Sequence, residues 1–436
     1  MALGGGSFTT QNKELPGAYI NFVSAASANA ALSDRGIVTM PLELDWGVDG
    51  EVFEVGNGDF RENSLKIFGY DYAHDKLKGL RDLFANARTL YAYKLTSGGK
   101  KAGNDLAEAR YCGVRGNDLK VIVQVNADDD ALFDVKTVLD TSVVDEQTVA
   151  NAAELRANDF VTFKTSAELA VTAAAPLSGG ENGTVDGTAY QTYLDKIESY
   201  TYNVMGVVVA DDTTKALFDS FVKRLRDEMG VKFQLVLYNY AKSDFYGTIS
   251  VKNRVLDADW SEASLVYWVT GVSAGCEVNR SNQNRIYNGG FMVDTGYTQN
   301  DLKKAIKTGE FVLHKVGADV RVLEDINTMV TTSETQGDIF KENQTVRVMD
   351  QIANDIAVLF DTKYLGVVPN DAAGRISLWS DIVKHHEQLQ EIRAIENFSD
   401  SDVVIEQGST KKSVVVTDIV TVVNAMSRLY MSVTIA

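Results

Sequence analysis

At 436 residues, with 45% hydrophobic and 23% charged side chains, the chain has the composition of a folded protein of two to four domains of roughly 100 to 200 residues each. That excludes a small disulfide-stapled fold and global disorder. Sixty acidic against 42 basic residues give a formal net charge of -18, which repels phosphate backbones and argues against nucleic-acid binding. The two cysteines, Cys112 and Cys276, belong to no CxxC pair, so neither a disulfide framework nor a zinc pattern is expected. No apolar run reaches the roughly 20 residues that span a bilayer, and no membrane insertion is expected.

Residues 1–25 read as an N-terminal extended arm. Gly4, Gly5 and Gly6 open a polar stretch, and Leu15, Pro16 and Gly17 lead into a short strand with Ala18, Ile20 and Phe22 on one side and Tyr19 and Asn21 on the other. Residues 26–97 read as an N-terminal α/β domain. The strand-like pieces IVTMPLEL, EVFEV and TLYAYKL surround one helix from Leu65 to Asn86, with Leu77, Leu80, Leu83 and Phe84 at helical spacing. Residues 98–177, with short alternating runs such as LKVIVQV and FVTFKT, predict a β-rich, sandwich- or barrel-like module. Its acidic triplet Asp128, Asp129 and Asp130 lacks the spacing of a calcium loop and reads as a solvated turn.

The glycine-rich LSGGENGTVDG at 177–187 lacks the GK[ST] ending of a phosphate loop and reads as a domain boundary. Residues 178–330 read as a central α/β domain. Its clearest unit is the strand NVMGVVVA, a helix from Asp211 to Met229 closed by Gly230, and the strand VKFQLVLY, a βαβ crossover of parallel strands. Thr298 and Asp301 predict a capping box for the helix DLKKAIK. EFVLHK and VRVLE flank a VGAD turn as a hairpin. Residues 331–436 read as a C-terminal α+β domain, with helices near 344–361 and 376–395, the β-branched run SVVVTDIVTVV, and a last strand, LYMSVTI. That strand puts Leu429, Met431, Val433 and Ile435 on one face and Tyr430 on the other. Left unpaired it would invite aggregation, so it must add to a sheet in its own subunit or another.

The one catalytic-looking string is GVSAG at 271–275, a match to the nucleophile elbow with Ser273 as nucleophile. Leu265, Val266, Val269 and Val272 recur at helical spacing, however, which places Ser273 in a helix whose small residues permit close packing. The polar CEVNRSNQNR that follows does not suit the buried helix of that fold, and no HGGG-type oxyanion loop exists. The histidines are His74, His314, His385 and His386. Adjacent helical residues diverge by about 100°, so His385 and His386 cannot form a zinc clamp and read as exposed or capping groups. No catalytic, cofactor or metal residue is assigned.

The arm LPGAYINF, the segments GVSAGCEVNRSNQNRIYNGG and VLEDINTMVTTSETQGDIFKENQTVRVMDQIANDI, and the ending AMSRLYMSVTI together resemble contractile phage tail sheath proteins. The likeness is to the branch of Gram-positive phages, phage-like elements and R-type bacteriocins. The resemblance runs from Leu15 to the last residue, with the 98–177 module its least diagnostic part. It implies a non-enzymatic subunit that stacks as hexameric rings in a helical sleeve around a tail tube protein, bounded by baseplate and tail terminator proteins. On a trigger such a sleeve contracts and drives the tube through a bacterial envelope. It implies assembly in the host cytoplasm and then residence in a virion or tail-like particle. The arm strands Leu15, Pro16, Gly17, Ala18, Tyr19, Ile20 and Phe22, and Leu429, Tyr430, Met431, Val433 and Ile435, would pair with neighbouring subunits. The alternatives are a serine hydrolase using Ser273 and a static shell or surface-array protein.

Overall fold

The computed structural model describes residues 32–435; the strand expected at 15–22 lies outside them. Two compact units emerge, one of Asp34–Gln351 with the chain from Val422 onward, the other containing Ile352–Thr421.

The first unit begins with β1 (Ile37–Leu42), β2 (Val52–Gly56), α1 (Asn57–Phe68), α2 (Lys78–Phe84) and β3 (Thr89–Lys94). The single helix expected over 65–86 is thus two helices. Gly69, at φ +77°, closes α1 through its N–H to Leu65 O, and only glycine takes that left-handed turn without a Cβ penalty. An inserted module follows, with β4 (Ala107–Ala109), β5 (Leu119–Val125), β6 (Phe133–Leu139), β7 (Ser142–Val149), β8 (Val161–Phe163) and β9 (Thr172–Pro176). Its main sheet is antiparallel in the order β7-β6-β5-β9, over a core that includes Val121, Val123, Val135, Phe160 and Trp46. The 177–187 stretch returns the chain beside its point of departure, with Lys100 N–H bonded to Glu181 O and Gly183 N–H to Thr96 O.

Beyond it lie α3 (Gly187–Ile197), β10 (Val204–Gly206), α4 (Asp212–Arg224), β11 (Gln234–Tyr238), β12 (Thr248–Val251), α5 (Leu265–Ala274), α6 (Gln299–Lys307) and β13 (Glu310–Phe311). The strands of both segments form one sheet in the order β13-β12-β11-β10-β1-β3-β2. It is parallel apart from the β2–β3 pair. Residues 26–97 and 178–330 therefore share a sheet that the inserted module interrupts in sequence only. Both faces are covered, as a parallel sheet requires. Val236 and Tyr238 join α2 and α5 on one side, whereas Leu235 and Leu237 join α3 and α4 on the other. The βαβ unit is present, although only Val204–Gly206 of the expected 203–210 strand pairs.

The hairpin of β14 (Leu313–Val316) and β15 (Asp319–Val322) is antiparallel as expected, and the Thr298–Asp301 capping box starts α6. The remaining elements are α7 (Asn343–Leu359), α8 (Ala372–Glu391), β16 (Ile395–Glu396), β17 (Val403–Gln407), β18 (Val414–Asp418) and β19 (Thr421–Val422). In the second unit Leu359, Leu378, Ile382 and Val403 form a separate core under the β17–β18 hairpin.

Candidate assembly arm

Residues 423–435 have neither helix nor ladder partner among the described residues. The first part of this segment is gripped. Gln344, in the first turn of α7, donates to Val423 O at 3.0 Å and accepts from Ala425 N–H at 2.9 Å. Thr345 and Asn424 hydrogen-bond through their side chains. Gln283 donates to Ser427 Oγ at 2.8 Å, and Arg428 pairs with Glu324 at 3.1 Å. Glutamine suits this grip because its planar amide can copy one strand's donor–acceptor pair, while the Thr345 hydroxyl both donates and accepts. After Arg428 the grip ends: Leu429 is 87% exposed and Ile435 is 92% exposed, with Tyr430, Met431 and Val433 similarly open. An alternating apolar segment with no ladder partner among the described residues leaves its backbone groups open to solvent.

The anchor is itself tied to the core. Arg347, one turn along α7, is fully buried and bonds Asp325 at 2.6 Å and Arg280 O at 2.9 Å. Burial alone would push the Asp325 carboxyl up, but the Arg347 guanidinium and the donors Asn282 N–H and Asn343 hold it below the usual carboxylate range. Asp350 accepts both guanidinium nitrogens of Arg226, which stands in a π-helical turn continuing α4 over Leu225–Met229. Sequence reasoning missed both arginines, whose charge at helical positions reads as surface.

The residues weighed for catalysis do not converge. Ser273 lies in the last turn of α5, fully buried, with no hydrogen-bond partner for its hydroxyl among the described residues. A nucleophile elbow needs the opposite, an exposed serine beside its base. The glycines of the motif serve packing: a Cβ on Gly271 would lie 2.3 Å from Leu83 O, and one on Gly275 2.0 Å from Asn86 O. His74 caps a short turn through its ring nitrogen, and Asp128, Asp129 and Asp130 are exposed.

For His385 and His386 the expectation of exposure is corrected. Both are buried in α8, with His385 Nε2 2.9 Å from Asp355, His386 Nε2 2.7 Å from Asp418, and the two Nδ1 atoms 3.3 Å apart. The same angular divergence that forbids a zinc clamp lets the adjacent rings reach a helix on one side and a strand on the other.

Four family models tile the chain: the tail sheath protein Gp18 domain III N-terminal region over 35–95, the phage tail sheath beta-sandwich domain over 92–182, the central domain over 183–328 and the C-terminal domain over 335–436. The phage-like element PBSX protein XkdK of Bacillus subtilis is 32% identical, with 99% of each chain aligned. The sheath tail protein of Desulfitobacterium hafniense superposes with a TM-score of 0.79 at 36% identity, covering 90% of this chain and 93% of that one. An extracellular contractile injection system sheath, solved in its contracted state, shares the fold at a TM-score of 0.56 and 12% identity, covering 98% of both chains. The family models and the full-length relative make this a structural protein rather than an enzyme. The chain belongs to the phage tail sheath protein family.

Proposed function

We propose that this chain polymerises as stacked hexameric rings around a tail tube and shortens to drive that tube through a bacterial envelope. The observation that carries the reading is the segment Leu429–Ile435, apolar on alternate positions, exposed, and fixed at its root by Gln344, Thr345 and Glu324. Such a segment serves no purpose in an isolated subunit; it supplies a strand to another copy. The β17–β18 hairpin is a fitting acceptor, since it is a two-stranded sheet with Val404 and Val415 about half exposed. Leu15, Pro16, Gly17, Ala18, Tyr19, Ile20 and Phe22 would form the second tether. Main-chain pairing through both arms can persist while the bodies rotate between two packings.

In this reading the partners are other copies, the tube protein, and the baseplate and terminator proteins at the two ends. Assembly takes place in the host cytoplasm, and the product is a virion or tail-like particle. Electron microscopy of the full-length protein beside a deletion of Leu429 to Ala436 tests the role of the arm. Hollow sleeves from the full chain and only dispersed subunits from the deletion are expected; sleeves from both would refute strand exchange through this arm. A static array would keep its length after triggering, whereas a contractile sleeve shortens and widens.

A further inference from the structure

Neither histidine of the α8 pair reaches solvent: His385 is 1% exposed and His386 0%. His385 Nε2 lies 2.9 Å from Asp355 Oδ2 of α7, the two Nδ1 atoms face each other at 3.3 Å, and His386 Nε2 lies 2.7 Å from Asp418 Oδ2 at the end of β18. The four side chains form one file that joins three elements of the same unit. The carboxylates fix which ring atoms meet, since turning either ring over would put a C–H against its carboxylate. Nothing in the assembly arm uses this file.

Counting hydrogens sets the charge. A carboxylate only accepts, and Asp355 Oδ2 also accepts from Ser33 N–H at 3.3 Å, so each Nε2 carries a hydrogen. A neutral imidazole has one N–H. Two neutral rings would therefore leave two bare Nδ1 lone pairs opposed in a buried site. The file has three gaps and needs three hydrogens, whereas two neutral rings bring two. The third is an added proton, held on one Nδ1 and donated to the other; whether the charge rests on His385 or His386 does not alter the count. One positive charge between two carboxylates also leaves the file closer to balance than two neutral rings between two anions. Asp381, one turn before His385 and also buried, is bonded to Lys363 and Tyr364. Lys384 and Glu387 flank the pair on α8 and are exposed. The segment before β17 presents the uncharged Phe398 ring, 5.1 Å from that of His386.

We propose that His385 and His386 share one bound proton at neutral pH, and that this proton latches α7 and the β17–β18 hairpin onto α8. Removing it opposes two lone pairs. Adding another makes both rings imidazolium and opposes two N–H groups. In either case the contact between the Nδ1 atoms becomes repulsive and the rings separate, carrying their carboxylate partners on α7 and β18 apart. The latch closes in one protonation state, which makes the seating of the hairpin a function of pH.

Magic-angle-spinning NMR of the full-length protein carrying isotope-labelled histidine counts the hydrogens directly, in dispersed subunits and polymers alike. Near neutral pH a strongly downfield Nδ1–H signal correlated with both Nδ1 nitrogens is expected, and it should be absent in His386→Gln. That variant keeps an amide N–H for Asp418 and deletes the Nδ1. Hydrogen exchange read by mass spectrometry follows the hairpin. As rising pH removes the Nδ1–H signal, protection factors over Val403–Gln407 and Val414–Asp418, corrected for the intrinsic pH dependence of exchange, should fall about tenfold or more, while those of β5 and β6 stay constant. In His386→Gln, its fold verified by a melting curve, hairpin protection should not change across that range. Bare Nδ1 atoms on both rings near neutral pH would overturn the shared proton, and loss of the proton with hairpin protection unchanged would overturn the latch. Both decisive readings come from the native chain, so a variant that failed to fold would not rescue the proposal.

Discussion

Arg226 and Asp350, 124 residues apart, meet in a bidentate pair with both nitrogen–oxygen distances under 3 Å, at 2.8 and 2.6 Å. The guanidinium also stacks over Tyr246 at 4.7 Å. Removing one partner strands a buried charge, so Asp350→Asn should cost about 3–5 kcal/mol. Replacing both by apolar residues of similar volume should recover most of that loss. Urea unfolding of the single and double variants measures the difference.

The Asp325–Arg347 pair makes a pH prediction. The Asp325 carboxyl is held below its unfolded value, so its contribution to stability is complete above about pH 4 and is lost as pH falls through the folded value. The stability gap between the native protein and Asp325→Asn should be widest near neutrality and shrink in acid, below about pH 4. Unfolding free energies of the two proteins across that range provide the check. A gap that stays constant into strong acid would show that the pair does not carry the effect.

Gly275 should not tolerate even a methyl group. Its Cβ would lie 2.0 Å from Asn86 O, a backbone atom that can yield only by separating α5 from the chain after α2. Gly275→Ala should cost about 2–3 kcal/mol, read as a lowered thermal midpoint, whereas the same change at Gly98, where nothing lies within 4 Å but φ is +79°, costs only about 1 kcal/mol of backbone strain.

Ser273→Ala should be neutral or stabilising by up to about 1 kcal/mol, because it deletes a buried hydroxyl that has no partner among the described residues. Ester hydrolysis should be undetectable in both proteins. A serine-dependent turnover would contradict the buried helical placement.

What could be read in advance follows the range of the interaction. The capping box at Thr298 and Asp301, the 313–322 hairpin and the helix through GVSAG depend on neighbours a few residues away, and periodicity exposes them. The break after Phe68 was hidden because the polar run YDYAHD still leaves Leu77, Leu80, Leu83 and Phe84 at helical spacing beyond it. The pairing of β1 with both β3 and β10 was hidden because the inserted module separates the strands in sequence. The buried histidines and arginines were illegible for another reason. Each is paid for by a carboxylate that lies far along the chain, and a charged residue with a distant partner is indistinguishable in sequence from one in solvent. Of the arm, the alternation of Leu429 to Ile435 was readable, but its grip by Gln344 and Thr345 was not.

That grip sets a length. With the chain held as far as Arg428, the seven residues from Leu429 to Ile435 can extend about 24 Å. If a neighbouring copy's sheet accepts them, as proposed, its edge must lie inside that radius of Arg428. In that case the segment would act as a ruler, capping how far two neighbours could separate while still joined. Insertions after Arg428 would lengthen the ruler without touching either body.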